Sequence, residues 1–414
     1  MPDEPSTKRK GNIGEFFALD YDAWPAVCGL GPNAAVAYVT LARFTGRDNR
    51  RTAASVQAIE AHTGMARTRA QESINELIRA RLVERVPESP RTRPRYIMRS
   101  WREAFPDVKG SNAWFATVLG RLPKLGTYSS KAWPTRDSDV TAARVAGLIL
   151  RSGNGSWHVN EPDTERNLAW LPNAFVTGTS AGEVPPLRRL RETGTVDALR
   201  LVVDLYAVHH LTDDGGVSPR VVWKPWERHI IATTEHYNIL GFTKQQGDFD
   251  GKPGPIYGTF NVESRAWNGF AASSGNAWKT MHTVENLGLV ESVTTLFDGP
   301  EGEPMFSIAH EPLADAPDAN AIRACGTHAL FAAEAWGGAT AAQWCGKQPG
   351  DYHMLMVPRH VETATLRGIF RLRYRPRTNA TARWWGRLMS TTEAWTAKFR
   401  ELAGHQQYER EGTG

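Results

Sequence analysis

Ala70–Val86 reads AQESINELIRARLVERV, and Ala277–Val293 reads AWKTMHTVENLGLVESV; the two stretches align without a gap. Five positions are identical: Ala70/Ala277, Leu82/Leu289, Val83/Val290, Glu84/Glu291 and Val86/Val293. Ile74/Met281 and Leu77/Val284 keep an apolar side chain. In each copy the apolar residues recur at helical spacing and then give way to a short β-branched run. Each therefore predicts an amphipathic helix that passes directly into a strand. A repeat of this length bears on the whole architecture, and it predicts the same supersecondary unit twice in one chain.

The flanks extend the unit. Ahead of the first copy, Pro32 opens a helix whose apolar positions are Ala35, Val36, Val39, Leu41 and Ala42; proline suits the first helical turn, where its missing N–H is of no consequence. Gly46-Arg47-Asp48-Asn49 reads as a turn and Arg51–Ala53 as a very short strand. Ser55 is a good N-cap for the helix Val56–Thr63, which Gly64 ends. A second helix follows from about Arg67 to Ala80, then the strands Leu82–Val86 and Tyr96–Met98 on either side of the polar hairpin PESPRTRPR. Around the second copy the order is similar. There is a helix over Val196–His209, a turn at Asp213–Gly216, a strand at Val217–Trp223 and a long insertion. The repeated helix and strand come next, then a hairpin FDGPEGEP and a strand Met305–Ile308.

Thr63–Leu77, TGMARTRAQESINEL, resembles the turn and recognition helix of winged helix-turn-helix proteins. The resemblance covers about Ser55–Met98. Gly64 permits the turn, Met65 plugs the core, and Ala70, Ile74 and Leu77 bury the helix. Arg67, Thr68, Arg69, Gln71, Asn75 and Arg79 lie off the apolar face. In such proteins the N-terminal end of this helix enters the major groove, where Arg and Gln suit guanine and adenine edges; Arg79, further along, suits phosphate. Arg91, Arg93 and Arg95 of the hairpin alternate onto one side, in position for phosphate or minor-groove contact. In the second copy Lys279 is the one basic candidate, and the hairpin after it carries Asp298, Glu301 and Glu303 with no base. A hairpin of that charge repels phosphate, so either the second copy contacts a protein, such as another copy of this chain, which is the favoured reading, or its DNA contacts come only from the helix.

Charge follows the same division. Residues 1–110 carry 18 Lys and Arg against 13 Asp and Glu, residues 196–310 carry 8 against 14, and residues 359–400 carry 10 against 2. Basic ends on an otherwise ordinary composition point to a polyanion. In RGIFRLRYRPRTNATARWWGR, Arg371, Arg373 and Arg375 recur at period two and would line one side of a strand, with Phe370, Leu372 and Tyr374 on the other; that arrangement also suits nucleic acid. No apolar run approaches the roughly 20 residues of a membrane span. Three cysteines in 414 residues suit a reducing cytoplasm. There is no phosphate-binding loop of the G-x-x-x-x-G-K-[ST] type, and no nucleophile–base constellation stands out. Cys325, His328, Cys345 and His353 match no common zinc-finger spacing.

The sequence therefore predicts an α+β, mainly helical fold of two winged helix-turn-helix domains in tandem. The expected divisions are a tail over 1–12, a first domain over 13–105, a connector over 106–165 and a second domain over 166–310. A basic, aromatic C-terminal region over 311–405 and a tail over 406–414 complete the chain. Two winged helices in tandem resemble the replication initiators of plasmids and some phages. That resemblance implies a cytoplasmic, nucleoid- or plasmid-associated protein that binds double-stranded origin DNA. It also implies that no catalytic residues are needed and that the second domain pairs protomers or touches the adjoining half-site; a homodimer or protein partner through that domain, and no cofactor, metal or membrane, are expected. A transcriptional regulator and a winged-helix interaction scaffold are the alternatives.

Overall fold

A computed structural model describes residues 16–46, 48–90, 94–104, 149–151, 157–159, 168–180, 182–209, 216–217, 222–244, 246–249, 252–255, 274–300, 302–311, 318–345, 352–375 and 379–412. The chain divides into two units, Met1–Val203 with Tyr374–Pro376, and Asp204–Arg373 with Arg377–Gly414.

In chain order the first unit contains β1 (Phe16–Asp20), α1 (Trp24–Gly29), α2 (Pro32–Arg43), β2 (Arg51–Thr52), α3 (Val56–Thr63), α4 (Arg67–Arg79), β3 (Val83–Arg85), β4 (Tyr96–Met98) and α5 (Trp101–Ala104). It continues with β5 (Ile149–Arg151), β6 (Trp157–Val159), β7 (Leu168–Pro172), α6 (Ala174–Thr177) and α7 (Pro186–Glu192); α8 (Asp197–Ala207) crosses the division. Gly31, at φ 99°, turns the chain into α2, and Ala34 to Ala42 are all buried, so α2 is the central helix of this unit. Against it pack α3 and α4. β2, ahead of α3, joins β3 and β4, after α4, in a three-stranded antiparallel sheet of order β2-β4-β3, with Val83 opposite Met98 and Thr52 opposite Tyr96. β7 pairs antiparallel with β1. Residues 168–172, assigned by sequence to the second domain, thus belong to the first unit.

The second unit contains β8 (Trp223–Thr233), β9 (Tyr237–Lys244), β10 (Gln246–Phe249), β11 (Lys252–Pro255), α9 (Ser274–Asn286), β12 (Val290–Phe297), β13 (Pro304–Glu311), α10 (Ala319–Cys345), β14 (Tyr352–Pro358), β15 (Thr365–Leu372) and α11 (Asn379–Gly412). Six of its strands form one antiparallel sheet in the order β13-β12-β15-β8-β9-β14. This sheet is curled into a half-barrel. One contact measures the curl. In a flat sheet β13 and β9, four strand spacings apart, would be separated by roughly 19 Å, yet Lys244 Nζ of β9 lies 4.0 Å from Glu311 Oε1 of β13.

Helices α10 and α11 pack against each other and against this sheet. Ala329, Ala332 and Ala333 of α10 and Phe399 and Leu402 of α11 join Phe306, Ile308, Leu355 and Leu366 in one core. β13 carries a bulge, since Thr294 pairs with Ala309 but Thr295 with Ser307. The bulge takes the Ser307 N–H out of the ladder, and the hydroxyl of Thr392 on α11 accepts it at 3.2 Å. Beneath the bulge lies Gly326 of α10, where a Cβ would come within 2.2 Å of the Ile308 carbonyl oxygen. Glycine is what lets the helix approach the strand this closely.

This architecture overturns the predicted fold. Among the described residues 48 % are helical and 28 % strand, with a six-stranded curled sheet, not a mainly helical pair of winged helices. The second copy of the repeat sits inside that sheet. Its strand β12 is paired on both sides, with β13 and β15, and every residue of it is buried. Residues 311–405, read as a separate basic region, supply α10, β14, β15 and most of α11 to the same unit.

Candidate nucleic-acid interface

The turn between α3 and α4 is built by four residues. Gly64 closes α3 in the left-handed conformation, φ 65°, with its N–H bonded to Glu60 O at 2.9 Å. Thr63 is buried; its hydroxyl donates to Ile59 O at 2.5 Å and accepts the Met65 N–H at 3.2 Å, bridging the turn. Met65 is 2 % exposed, and its sulfur lies 3.8 Å from the Ser73 hydroxyl, which donates to Arg69 O at 2.8 Å. Ala70, Ile74 and Leu77 are fully buried. Burial of Ile74 and Leu77 contributes about 2 kcal/mol each, which anchors α4 along one face.

The opposite face is polar and exposed. Arg67, Thr68, Arg69, Gln71, Glu72, Asn75 and Arg79 all point to solvent. Arg67 reaches only a loose ion pair with Glu60, 3.7 Å, and its side chain is 76 % exposed. The Gln71 amide donates to Asn75 Oδ1 at 3.2 Å, so two amides one turn apart hold each other in register.

The N-terminus of α4 is unusual. Its N-cap is Ala66, which makes no side-chain capping bond, and its first turn has no acidic residue. Arg67 and Arg69 occupy that turn instead. A helix start has free N–H groups and the positive end of the macrodipole, so caps and carboxylates stabilise it and cations do not. Here the local chemistry favours an external anion over the free helix.

The three-stranded sheet flanks this helix in sequence. Arg85 and Arg95 are exposed at its hairpin end, where Val86 N–H donates to Arg95 O at 2.9 Å. Arg91 and Arg93 lie outside the described residues. Further round, Arg99 is held by Glu84 at 2.5 Å and Arg50 by Glu103. Burial works against the Glu103 carboxyl, but hydrogen bonds from Arg50 and Ser100 outweigh it and draw the group down to about 2.

The candidates outside α4 and its hairpin do not form such a surface. Lys279 is exposed on α9. Arg371, expected on the outer side of a strand, is 2 % exposed. It donates from Nε to Glu291 Oε2 at 2.9 Å and from Nη1 to Asp318 Oδ2 at 2.5 Å, lies 3.3 Å from His310 Nε2, and stacks 4.7 Å from the Trp385 ring. Burial raises the Glu291 carboxyl, yet the His310 hydrogen bond and the Arg371 charge bring it down to about 2. This is an internal ion-pair network tying β12, β13 and β15 to the start of α10. Arg373 is exposed just beyond the end of β15, its N–H donating to Leu289 O at 3.1 Å, and Arg375 is half-buried. The period-two arginine stripe is therefore absent, because the strand stops at Leu372 and its arginine at 371 faces the interior.

Cys325 is buried in the core, with its thiol pushed up to about 11 by burial; His328 accepts from Arg400 at 2.9 Å; His353 packs 4.7 Å from the Trp226 ring. Among the described residues no group of three or more His, Cys, Asp or Glu is placed to hold a metal ion, and no helix is long and apolar enough to cross a membrane.

Sequence reasoning missed α7. Arg191 Nε donates to Thr63 O at 2.8 Å, so α7 clasps the turn ahead of α4 from 128 residues away. Nothing local in the sequence signals that contact beyond the density of arginine in PLRRLRE. No protein-family model, curated protein or solved structure matches the chain.

Proposed function

We propose that the first unit binds double-stranded DNA in a sequence-specific manner. In this reading α4 enters the major groove, N-terminus first, and the hairpin between β3 and β4 approaches the neighbouring phosphates. One observation carries the proposal: the uncapped, acid-free start of α4 bears Arg67 and Arg69. That arrangement works against helix stability and in favour of a bound anion. Behind the arginines, Gln71 and Asn75 present paired amides on the same exposed face, a donor and acceptor set suited to an adenine edge.

The second copy of the repeat is left out of this reading. Its one candidate helix offers Lys279, and the hairpin after β12 exposes Asp298 and Glu303. The resemblance to replication initiators rested on two tandem winged helices, so with that architecture overturned the proposal is made at the level of duplex recognition.

The test is selection of duplexes from a random-sequence pool by the full chain, followed by footprinting. Enrichment of one motif, protected over roughly one helical turn, is the result expected from a single recognition helix. Retention of the pool without enrichment contradicts sequence-specific reading.

A further inference from the structure

The three arginines of α7 have different surroundings. Arg191 is spent on the Thr63 carbonyl and its side chain is 19 % exposed. Arg189 turns to the Tyr374 hydroxyl at 2.5 Å, stacks on that ring, and is 23 % exposed. Arg188 is 43 % exposed, with its Nε bonded to Glu192 at 3.0 Å. Its guanidinium lies across Gly64: a Cβ built there would be 2.9 Å from Nε and 3.4 Å from Nη2. Gly64 stands three residues before Arg67. The structure thus gathers a third cation beside the uncapped start of α4, from a segment more than a hundred residues downstream.

Arg188 meets the Glu192 carboxylate through Nε at 3.0 Å, one helical turn along α7. A guanidinium bound by a carboxylate through Nε, on a side chain 43 % exposed, retains N–H donors for contact with a phosphate. We infer that Arg188 is a phosphate contact of the DNA surface, so that this surface is built from two distant segments, α3–α4 and α7. The inference rests on the DNA reading of α4. Phosphate contacts fix register without reading sequence, so Arg188 sets affinity and orientation, while Gln71 and Asn75 carry sequence preference.

The test compares the full chain with its Arg188→Gln, Arg188→Lys and Arg67→Gln/Arg69→Gln variants. The probe is a labelled duplex of mixed sequence, about three helical turns long, across a salt series. Arg188→Gln is expected to weaken binding several-fold and to reduce the slope of log K against log salt by about 0.9, the loss of one phosphate contact. Arg188→Lys keeps the charge and is expected to keep the slope. All variants are expected to melt with the parent chain, because Arg188 and Arg67 make only exposed ion pairs. If Arg67→Gln/Arg69→Gln lowers the slope while Arg188→Gln leaves it unchanged, the inference about α7 is wrong and the reading of α4 stands. If neither variant moves affinity or slope, the DNA reading fails and the inference falls with it.

Discussion

At the scale of single residues, Gly64 and Arg371 show what the sequence reveals and what it hides. Gly64 was legible: a glycine between two helical patterns is a C-cap, and it has the left-handed φ that the role needs. The second reason for glycine, the Arg188 guanidinium lying over it, was not legible, because α7 is far away in sequence. Both reasons predict that Gly64→Ala destabilises the first unit by about 1–2 kcal/mol, readable in a urea titration, and also weakens duplex binding through displacement of Arg188. Arg371 was misjudged. Alternating arginines read as the outer side of a strand, and only the partners decide otherwise: Glu291 and Asp318 lie 80 and 53 residues away. Removing one member of a buried, hydrogen-bonded ion network leaves uncompensated charge, so Arg371→Ala is expected to destabilise the second unit by about 3–5 kcal/mol. If Arg371 contacted DNA instead, the substitution would change duplex affinity with little effect on thermal melting.

At the scale of elements, the repeat is physically real but local. In the first copy Arg81, at φ 61°, ends α4, with Arg81 N–H bonded to Ile78 O and Leu82 N–H to Leu77 O. In the second, Gly288, at φ 65°, ends α9, with Gly288 N–H bonded to Glu285 O and Leu289 N–H to Val284 O. Every one of these positions corresponds across the repeat. The shared residues therefore encode a helix, a left-handed stop and a strand. They do not encode what the strand pairs with: β3 enters a three-stranded sheet and β12 the centre of a six-stranded one. That choice is made by β13 and β15, which the repeat does not contain. The curled sheet also makes a pH prediction. Burial lowers the His353 ring on β14 to about 4, Glu311 opposing this and Lys244 adding to it. A base whose folded value lies below its ordinary 6.5 is protonated first in the unfolded chain, so its contribution is complete above about pH 6.5 and is lost as pH falls towards 4. Glu291 acts lower, between its ordinary 4.5 and about 2, again losing stability with acid. Melting of the second unit is therefore expected to weaken from pH 6.5 downwards. His353→Phe should flatten the curve between 6.5 and 4.5 and leave the steeper fall below that.

At the scale of the whole molecule, composition was a poor guide to where the basic residues act. In the richest basic stretch, residues 359–400, Arg367 and Arg371 are buried in the half-barrel, while Arg359, Arg373, Arg383, Arg387 and Arg400 stay exposed. The less basic first unit leaves its arginines outward around α4. Charge per segment counts residues; the surface counts only those the fold leaves unpaired, and long-range pairing decides which those are. The claim that most needs testing is that the outward arginines of α4 hold duplex DNA. The direct measurement is the affinity of the full chain for a selected duplex over a salt series, against Arg67→Gln/Arg69→Gln. A steep fall in affinity with salt is expected for the parent chain, and for the variant a loss of affinity with a slope lower by about two phosphate contacts. Equal affinity and equal slope for the two proteins would contradict that claim.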